Sequence, residues 1–344
     1  MKALVWTAPR QMVLREEPEP KPGPEEVLIE VIAAGICGSE LGGWLGTNKL
    51  RVPPLIMGHE ATGRLVYTNG GPLADGTEAR DGMMVTFNPI VNCGTCDRCR
   101  AAKQNLCRNR KLVGAQRPGA FARFVAVPRS LCWPVLEKTG PVAGSLAEPV
   151  AYAFHTVSAA NLGMGERLLI LGAGTIGLFC LKAAKVLGAG AVIVTDISPE
   201  RLEMARAWGA DRTVNVREED PLAVLKEVIP GGVEAAIDAV GTEATRRQAI
   251  AAVVPGGTVI FSGLHEEESP FPANYVVRQE IRVKGSFAYL APEFGQAVIL
   301  LANGVVAPSP EWLDERPLSE GPAAFAELAE GRSRFTKIVL RLDR

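Results

Sequence analysis

The segment from Leu168 to Asp196 constrains the fold most, because it reads as a strand, a glycine turn, a helix and a second strand. The apolar run 168–171 ends at a glycine and is typical of a strand that is buried on both faces. A second apolar run, 191–195, follows the helical stretch. This alternation predicts a parallel sheet that is covered by helices.

The turn in this segment carries Gly172, Gly174 and Gly177 in the spacing G-x-G-x-x-G, with Thr175 and Ile176 before the last glycine. Where such a turn joins a strand to a helix, free backbone N–H groups and the helix dipole can face a pyrophosphate. Side chains at these positions would block that approach. The pattern predicts a dinucleotide site, and the alternative is a simple turn in some other α/β protein.

The second strand ends at Asp196, about 20 residues beyond the glycines, where an acidic side chain can hydrogen-bond the hydroxyls of an adenosine ribose. The same carboxylate would repel a 2′-phosphate. We therefore predict NAD rather than NADP as the cofactor.

The rest of the chain divides into parts with different patterns. Short β-like runs separated by Pro and Gly occupy the first 150 residues or so, at 2–6, 27–36 and 121–127. Beyond the glycine turn, helical stretches alternate with strand-like runs: helices at 199–208, 221–228 and 243–253, strands at 213–215, 234–238, 258–261 and 282–284. We predict a mainly β domain at 1–152, a doubly wound parallel-sheet α/β domain at 153–290, and a segment at 291–344 that completes the first domain.

The composition excludes several classes of partner. The 344 residues are 47% hydrophobic and 22% charged, and the net charge of −1 gives no electrostatic case for nucleic acid or an anionic membrane. The first 17 residues lack a secretory apolar core, and the most apolar stretch, 168–181, is shorter than the ~18 residues of a membrane span. We predict a protein without a nucleic-acid or membrane partner.

Four of the seven cysteines are crowded into one short segment, in the spacing C-x2-C-x2-C-x7-C, at Cys93, Cys96, Cys99 and Cys107. Four thiolates so spaced can surround one structural Zn²⁺ tetrahedrally. An iron–sulfur cluster is the alternative, but its usual spacing is shorter at the last step and is followed by Pro, where this chain has Arg108. A metal pattern rather than a disulfide framework predicts a reducing, cytoplasmic location.

A second set of possible metal ligands is scattered along the chain, at Cys37, His59, Glu60 and Glu148. One thiolate, one imidazole and one carboxylate leave a fourth position for water or substrate, which is the arrangement of a catalytic zinc. Taken singly, each residue has an ordinary reading: a core cysteine, a surface turn, or a helix start before Pro149.

These motifs together resemble the zinc-dependent medium-chain alcohol dehydrogenase family along essentially the full chain. The shared features, in order, are Cys37-Gly38-Ser39, Gly58-His59-Glu60, the four-cysteine lobe, Glu148-Pro149, and the glycine turn with Asp196. The Glu-Pro pair and Trp44 are similar to the polyol branch of sorbitol, sugar-alcohol, sugar-phosphate and cyclitol dehydrogenases. The resemblance implies a GroES-like catalytic domain, a Rossmann cofactor domain and a homodimer or homotetramer.

The resemblance also implies an activity, the NAD-dependent interconversion of a secondary alcohol and its ketone. Cys37 and His59 would bind the catalytic zinc, and Glu60 and Glu148 compete for the remaining protein ligand. Ser39 would accept the alcohol proton. The substrate would be a polyol, sugar alcohol, cyclitol or sugar alcohol phosphate.

For the cofactor, the resemblance places Asp196 on the adenosine ribose and Arg201 against the adenine. Strand ends would line the nicotinamide side, at Val240, Gly241, Ser262, Gly263, Leu264, Ser286 and Phe287. The alternative for this last group is that they are ordinary strand ends.

Three positions depart from the family pattern. Glu40 stands where an Asp usually steadies the metal-binding imidazole, and its longer side chain predicts a different geometry. Gly42 stands where many relatives have a His that passes the proton to solvent, and Ala288 where sorbitol-type enzymes have an Arg that contacts substrate hydroxyls. We therefore expect the proton to leave through water or another group, or to be released more slowly, and we expect a substrate other than sorbitol.

Two other functions compete with this hypothesis. A zinc-free quinone-type reductase has the same fold and cofactor but would not need Cys37, His59 or the four-cysteine lobe. A non-enzymatic NAD-binding sensor would keep only the structural zinc. Two zinc ions per chain favour the dehydrogenase, one favours the sensor, and none favours the reductase.

Overall fold

A computed structural model describes residues 1–342 of the chain. It consists of two compact units: Met1–Glu148 together with the chain from Leu290 onward, and Pro149–Tyr289. The sequence placed these divisions after residues 152 and 290. Within residues 1–342, no helix is both long enough and apolar enough to cross a membrane.

The N-terminal part of the first unit is mainly β, as the sequence predicted. Its strands are β1 (Lys2–Ala8), β2 (Gln11–Glu16), β3 (Glu26–Gly35), β4 (Leu55–Ile56), β5 (Glu60–Tyr67), β6 (Met84–Phe87), β7 (Ile90–Val91), β8 (Lys111–Leu112), β9 (Phe124–Pro128) and β10 (Cys132–Pro134). Its helices are α1 (Gly38–Leu45), α2 (Asp97–Arg100) and α3 (Gly140–Ser145).

Strand β9 begins later than the predicted run 121–127. The backbone of Phe121 instead bonds to two other segments: its N–H donates to the Met57 carbonyl at 2.9 Å, and its carbonyl accepts from the Leu4 N–H at 2.8 Å. These bonds satisfy the peptide groups of Phe121 outside a regular ladder, so the strand starts only at Phe124.

The second unit alternates strands and helices. After α4 (Ala147–Ala160), which crosses the division, come β11 (Leu168–Leu171), α5 (Thr175–Val186), β12 (Val192–Asp196), α6 (Pro199–Ala207), β13 (Arg212–Asn215), α7 (Pro221–Val228), β14 (Val233–Asp238), α8 (Glu243–Ala252), β15 (Val253–Phe261), α9 (Ala273–Arg278) and β16 (Arg282–Gly285). The strands pair in parallel in the order β13-β12-β11-β14-β15-β16. This order confirms the predicted doubly wound parallel sheet.

The C-terminal part consists of α10 (Ala291–Ala302), β17 (Leu313–Pro317), α11 (Gly321–Ala329) and β18 (Lys337–Arg341). Strand β18 pairs antiparallel with β3, in a sheet of the order β10-β6-β5-β3-β18-β17. Phe325 of α11 packs against Phe121 and Trp44, with ring centroids 5.9 and 6.3 Å apart. The last segment therefore contributes both a strand and core side chains to the first unit.

Candidate metal and cofactor sites

The four cysteines of the segment 93–107 converge in the structure. Their sulfur atoms all lie within 4.8 Å of one another. Cys96 Sγ is 3.6 Å from Cys99 Sγ and 3.9 Å from Cys107 Sγ, and Cys107 Sγ is 3.5 Å from Cys93 Sγ. Tetrahedral coordination with Zn–S bonds of about 2.3 Å places sulfur atoms about 3.8 Å apart. The donor set therefore fits a closed zinc site, and these distances are far too long for disulfides.

The thiols of this segment differ in pKa because their surroundings differ. Hydrogen bonds from the backbone of Thr95 and Cys96 lower the pKa of the Cys93 thiol to about 5. Burial raises the pKa of the Cys99 thiol to about 12. The Cys93 N–H donates to Cys107 Sγ at 3.3 Å. All of these interactions arise within one short segment of chain.

A second group of ligand atoms is formed by Cys37, His59 and Glu60, again within 4.8 Å of one another. Cys37 follows β3 and stands at the N-terminus of α1, while Glu60 begins β5 and pairs with Gly35 of β3. The sheet thus brings together residues that are more than 20 positions apart in sequence. The three side chains provide a thiol, an imidazole and a carboxylate, the donor set of a zinc site with an open position.

Glu40 reaches the imidazole despite its extra methylene. Its Oε1 lies 2.9 Å from His59 Nδ1 and accepts the Gly58 N–H at 2.7 Å, while Oε2 accepts the Cys37 N–H at 3.1 Å. Burial opposes charge on both partners, yet the pKa of Glu40 is lowered and that of His59 raised well above its usual range, because each favours the other's charge. This bond occupies Nδ1, so Nε2 is the ring nitrogen that would bind a metal.

Lys337 of β18, which no sequence motif indicated, contacts this ligand group. Its ammonium is 2% exposed, forms an ion pair with Glu60 Oε2 and donates to the Ile36 carbonyl at 3.0 Å. Burial lowers the pKa of Lys337, but the charges of Glu60 and Cys37 prevail and raise it. A Cβ on Gly35 would lie 2.9 Å from Lys337 Cε, so the glycine leaves room for this pair.

Glu148 is the second residue of α4. Among residues 1–342, the ligand group that contains Cys37 and His59 includes Glu60 and does not include Glu148. The negative charge of Glu148 nevertheless helps to raise the pKa of Lys337, after the larger contributions from Glu60 and Cys37. Both carboxylates predicted as candidates therefore act on the same buried cation.

Ser39 lies beside the ligand group, where its hydroxyl donates to Cys37 Sγ at 3.4 Å. Arg51, a second residue that the sequence analysis missed, contacts Ser39 from the segment before β4. Its Nη1 donates to the Ser39 carbonyl at 3.0 Å and its Nη2 to Ser39 Oγ at 3.3 Å. A hydroxyl within reach of an open metal position is suited to exchange a proton with a bound alcohol.

In the second unit, the glycine turn has the geometry that a pyrophosphate needs. Gly172 has φ +100°, and a Cβ there would lie 2.7 Å from Val240 Cγ2. Gly174 caps α5, and a Cβ built on it meets nothing within 4 Å, so this side of the turn is open. A Cβ on Gly177 would run into the Gly172 carbonyl. Thr175 and Ile176 form the first turn of α5, at the helix end where anions commonly bind.

Asp196 ends β12 next to this turn. Its Oδ2 accepts the Ala173 N–H at 2.6 Å, and its Oδ1 accepts the N–H groups of Ile197 and Ser198 at 2.8 and 2.9 Å. A carboxylate offers about four lone-pair sites, so one site remains for a ribose hydroxyl. Arg201 is the third residue of α6, which Ser198 caps.

The remaining predicted cofactor residues lie at the carboxyl ends of β14, β15 and β16: Val240, Gly241, Ser262, Gly263, Leu264, Ser286 and Phe287. Leu264 and Phe287 are exposed, by 82% and 42%. Ligands of open α/β sheets bind at this edge. The structure thus brings all the predicted cofactor residues of these strands to the edge that also carries the glycine turn.

Tyr152 of α4 ties two of these strand ends together, and the sequence analysis missed it. Its hydroxyl lies 3.0 Å from Ser262 Oγ and donates to the Ser262 and Ser286 carbonyls at 3.1 and 3.3 Å. Thr156, one turn later, bonds Ser286 Oγ at 2.9 Å. One face of α4 therefore fixes the ends of β15 and β16.

Comparison with known protein families gives two matches to this chain. The alcohol dehydrogenase GroES-like domain matches residues 23–137, and the zinc-binding dehydrogenase domain matches residues 175–303. An L-threonine 3-dehydrogenase from Streptomyces coelicolor is 34% identical over 96% of this chain and 97% of its own length. A sorbitol dehydrogenase from Bacillus subtilis is 30% identical over 100% of this chain and 98% of its own length.

The chain belongs to the zinc-type alcohol dehydrogenase family. Its relatives include members of the polyol branch that the motifs indicated. Among solved structures, a protein from Sinorhizobium meliloti 1021 described as a zinc-binding dehydrogenase, bound to NADP, is 29% identical with a TM-score of 0.89 over 99% of this chain and 98% of that one. This alcohol dehydrogenase family member is therefore an oxidoreductase with a GroES-like and a Rossmann-type domain.

Proposed function

We propose that this protein interconverts a secondary alcohol and its ketone by hydride transfer to and from NAD, at a zinc ion held in the first unit. The observation that carries the proposal is the group of Cys37, His59 and Glu60, with the Ser39 hydroxyl beside it. A closed structural site would not leave a coordination position open next to a proton-exchanging group.

Cys37, His59 and Glu60 would hold this zinc. Because Glu60 also pairs with Lys337, its carboxylate would be shared between the metal and the ammonium. Glu148 remains the competing ligand. Zinc bound here supplies Lewis acidity that makes a hydroxyl acidic near neutral pH. Glu40 holds the imidazole in place, and Ser39 exchanges the proton of the substrate hydroxyl. Cys93, Cys96, Cys99 and Cys107 would hold a second, structural zinc.

NAD would lie on the glycine turn and along the carboxyl edge of the sheet, with its nicotinamide as the hydride acceptor. The support is the open side of Gly174 and the carboxylate of Asp196, which disfavours a 2′-phosphate. The Sinorhizobium meliloti protein is bound to NADP, so this choice needs a test of its own.

The choice between NAD and NADP can be tested by the substitution Asp196→Ala. Removal of the carboxylate takes away both a ribose acceptor and the repulsion of a 2′-phosphate. We expect the ratio of kcat/KM for NAD⁺ to that for NADP⁺ to fall by roughly 10- to 100-fold, the value of one or two charge-assisted hydrogen bonds. A wild-type enzyme that prefers NADP⁺ would contradict the prediction.

For the substrate, we propose a polyol, sugar alcohol, cyclitol or sugar alcohol phosphate other than sorbitol. The polyol relatives support the class, and Ala288, in place of an arginine that binds hydroxyls, argues against sorbitol itself. We propose no nucleic-acid or membrane partner. We also propose a homo-oligomer, since the edge strand β16 follows a helix, α9, that exposes Tyr275 and Val277.

The test is an assay of the zinc-replete protein with NAD⁺ and a panel of secondary alcohols, polyols, cyclitols and sugar alcohol phosphates. NADH formation is followed before and after chelation. Turnover on one class that chelation abolishes supports the proposal and names the substrate group. Tight NADH binding without turnover on any class would favour the sensor, and turnover that survives complete zinc removal would favour the quinone-type reductase.

A further inference from the structure

Helix α1 contains two adjacent glycines, and the structure shows what occupies the space beside them. A Cβ on Gly43 would lie 2.7 Å from Arg51 Cδ and 3.6 Å from Arg51 Cβ. The Arg51 side chain, 3% exposed, therefore lies where a larger residue at position 43 would stand. A Cβ on Gly42 would instead lie 3.4 Å from Asn48 Cβ and 3.6 Å from Thr47 Oγ1.

All three nitrogen atoms of the Arg51 guanidinium are used. Nε donates to the Gly114 carbonyl at 3.1 Å, Nη1 to the Ser39 carbonyl at 3.0 Å, and Nη2 to Ser39 Oγ at 3.3 Å. The first bond attaches the guanidinium to a separate loop. The other two bonds are to the backbone carbonyl and the side-chain hydroxyl of Ser39. A planar guanidinium with three hydrogen bonds is held in one orientation.

We propose that Arg51 is a positioning residue for Ser39 in the reaction proposed above, on which this inference rests. A serine hydroxyl has one O–H and two acceptor sites. The guanidinium takes one acceptor site and thereby selects the Ser39 rotamer that faces Cys37 Sγ, 3.4 Å away. The O–H donates to Cys37 Sγ, and the second acceptor site remains for the proton of the substrate hydroxyl.

Arg51 orients this hydroxyl but does not carry the proton. A guanidinium has no acceptor site and stays protonated at any working pH. It therefore does not replace the histidine that relatives have at position 42. The role of Arg51 is to keep the Ser39 hydroxyl in the productive direction.

The structural arm of the test compares crystal structures of zinc-loaded wild type and Arg51→Met. We expect one Ser39 rotamer in the wild type and a mixture or a different rotamer in the variant, with the positions of Cys37 and His59 unchanged. An unchanged single Ser39 rotamer in R51M would overturn the proposal. This readout does not depend on finding a substrate, so it stands even if the proposed function fails on every alcohol.

The kinetic arm is a double-mutant cycle with Ser39→Ala on the best substrate of the panel. We expect R51M to lower kcat by roughly 10²-fold, the size of effect that misplacement of a reacting group produces. In the S39A background the same change should alter kcat less than about 2-fold, because the hydroxyl that Arg51 orients is gone. R51K, which keeps a positively charged donor group, should recover part of the loss. Equal losses of kcat in both backgrounds, or no loss in either, would contradict the proposal.

Arg117→Met is the matched control. Arg117 is another partly buried arginine of the same unit, paired with Glu26 and bonded to the Ala126 carbonyl at 3.4 Å. Its replacement should lower stability without changing kcat or the Ser39 rotamer. If R117M lowered kcat as far as R51M, general loosening of the unit would explain both variants and the positioning role would be refuted.

Discussion

The two metal-ligand groups of this protein are built in opposite ways. The four-cysteine lobe takes every ligand from the segment 93–107, and its hydrogen bonds to sulfur are local. The second group takes ligands from the N-terminus of α1 and from the start of β5, and its buried cation, Lys337, comes from β18, 277 residues after Glu60. The first site is specified by spacing along the chain, and the second by the sheet that assembles it.

The two groups also differ in charge. The lobe offers only thiols, whereas the second group contains a carboxylate that already has a buried ammonium as its partner. Glu60 therefore has a buried counter-charge that does not depend on a metal ion. The comparison supports our proposal of one closed structural site and of a second site whose carboxylate would be shared between a metal and Lys337.

The largest expected effect is that of Cys37→Ala on catalysis. Loss of the thiolate ligand removes several kcal/mol of transition-state stabilisation, so we expect kcat to fall by at least about 10³-fold. NADH binding, measured by fluorescence titration, should be unchanged because the predicted cofactor residues lie in the second unit. Cys132→Ala is the control: this buried cysteine is outside both ligand groups and its loss should leave kcat intact. Full activity of the Cys37 variant would refute the zinc mechanism.

The next largest effect is expected for Lys337→Met, which tests whether the Glu60 carboxylate is shared between Lys337 and a metal ion. Without the ammonium, Glu60 is a buried unpaired charge, which destabilises a protein by about 3–5 kcal/mol. We expect this loss in urea unfolding of the chelated protein and a smaller loss when zinc is bound, since the cation then balances Glu60. Adding Glu60→Gln should restore much of the metal-free stability. Equal destabilisation with and without zinc would show that Glu60 and the metal do not interact.

The smallest effect provides a reference that no metal should influence. Arg167 pairs with Glu234 in the second unit and holds the pKa of Glu234 down, from 4.5 to about 2. A lowered carboxyl pKa stabilises the folded state above pH 4.5 and loses that contribution as the pH falls toward 2. Because both side chains are partly exposed, Glu234→Gln should remove only about 1 kcal/mol at neutral pH and almost nothing near pH 2. Urea unfolding should give the same stability difference between wild type and Glu234→Gln with and without chelator. A difference that depended on the chelator would show that this ion pair is coupled to a metal site, contrary to the prediction.

Local patterns predicted much of the fold and the simpler site. Buried strands and capped helices of the second unit follow apolar runs and turn residues, so α7 and β11 match their predicted bounds. The cysteine spacing likewise predicted that all four sulfur atoms lie close together. The residue types suggested Cys37, His59, Glu60 and Glu148 as ligands, and the resemblance strengthened that hypothesis. The structure brings the first three together.

Residues that act across the sheet could not be predicted in this way. Nothing near Lys337 in the sequence indicates a partner 277 positions earlier, and a lysine in a terminal strand is ordinarily exposed. Arg51 and Tyr152 were missed for the same reason, since their importance depends on what the fold places beside them. Side-chain length alone was also misleading, because the rotamer of Glu40 brings its carboxylate to His59.

The zinc content of purified wild type, Cys37→Ala and Cys99→Ser tests the central claim most directly. We predict two zinc ions per chain in the wild type and one in each variant, with catalytic turnover lost when Cys37 is replaced. The zinc left in the Cys37 variant should be the tightly held ion of the lobe, and Cys99→Ser should lose that ion and part of its thermal stability. One zinc ion in the wild type that persists in Cys37→Ala would contradict the account, because the second group would then hold no metal.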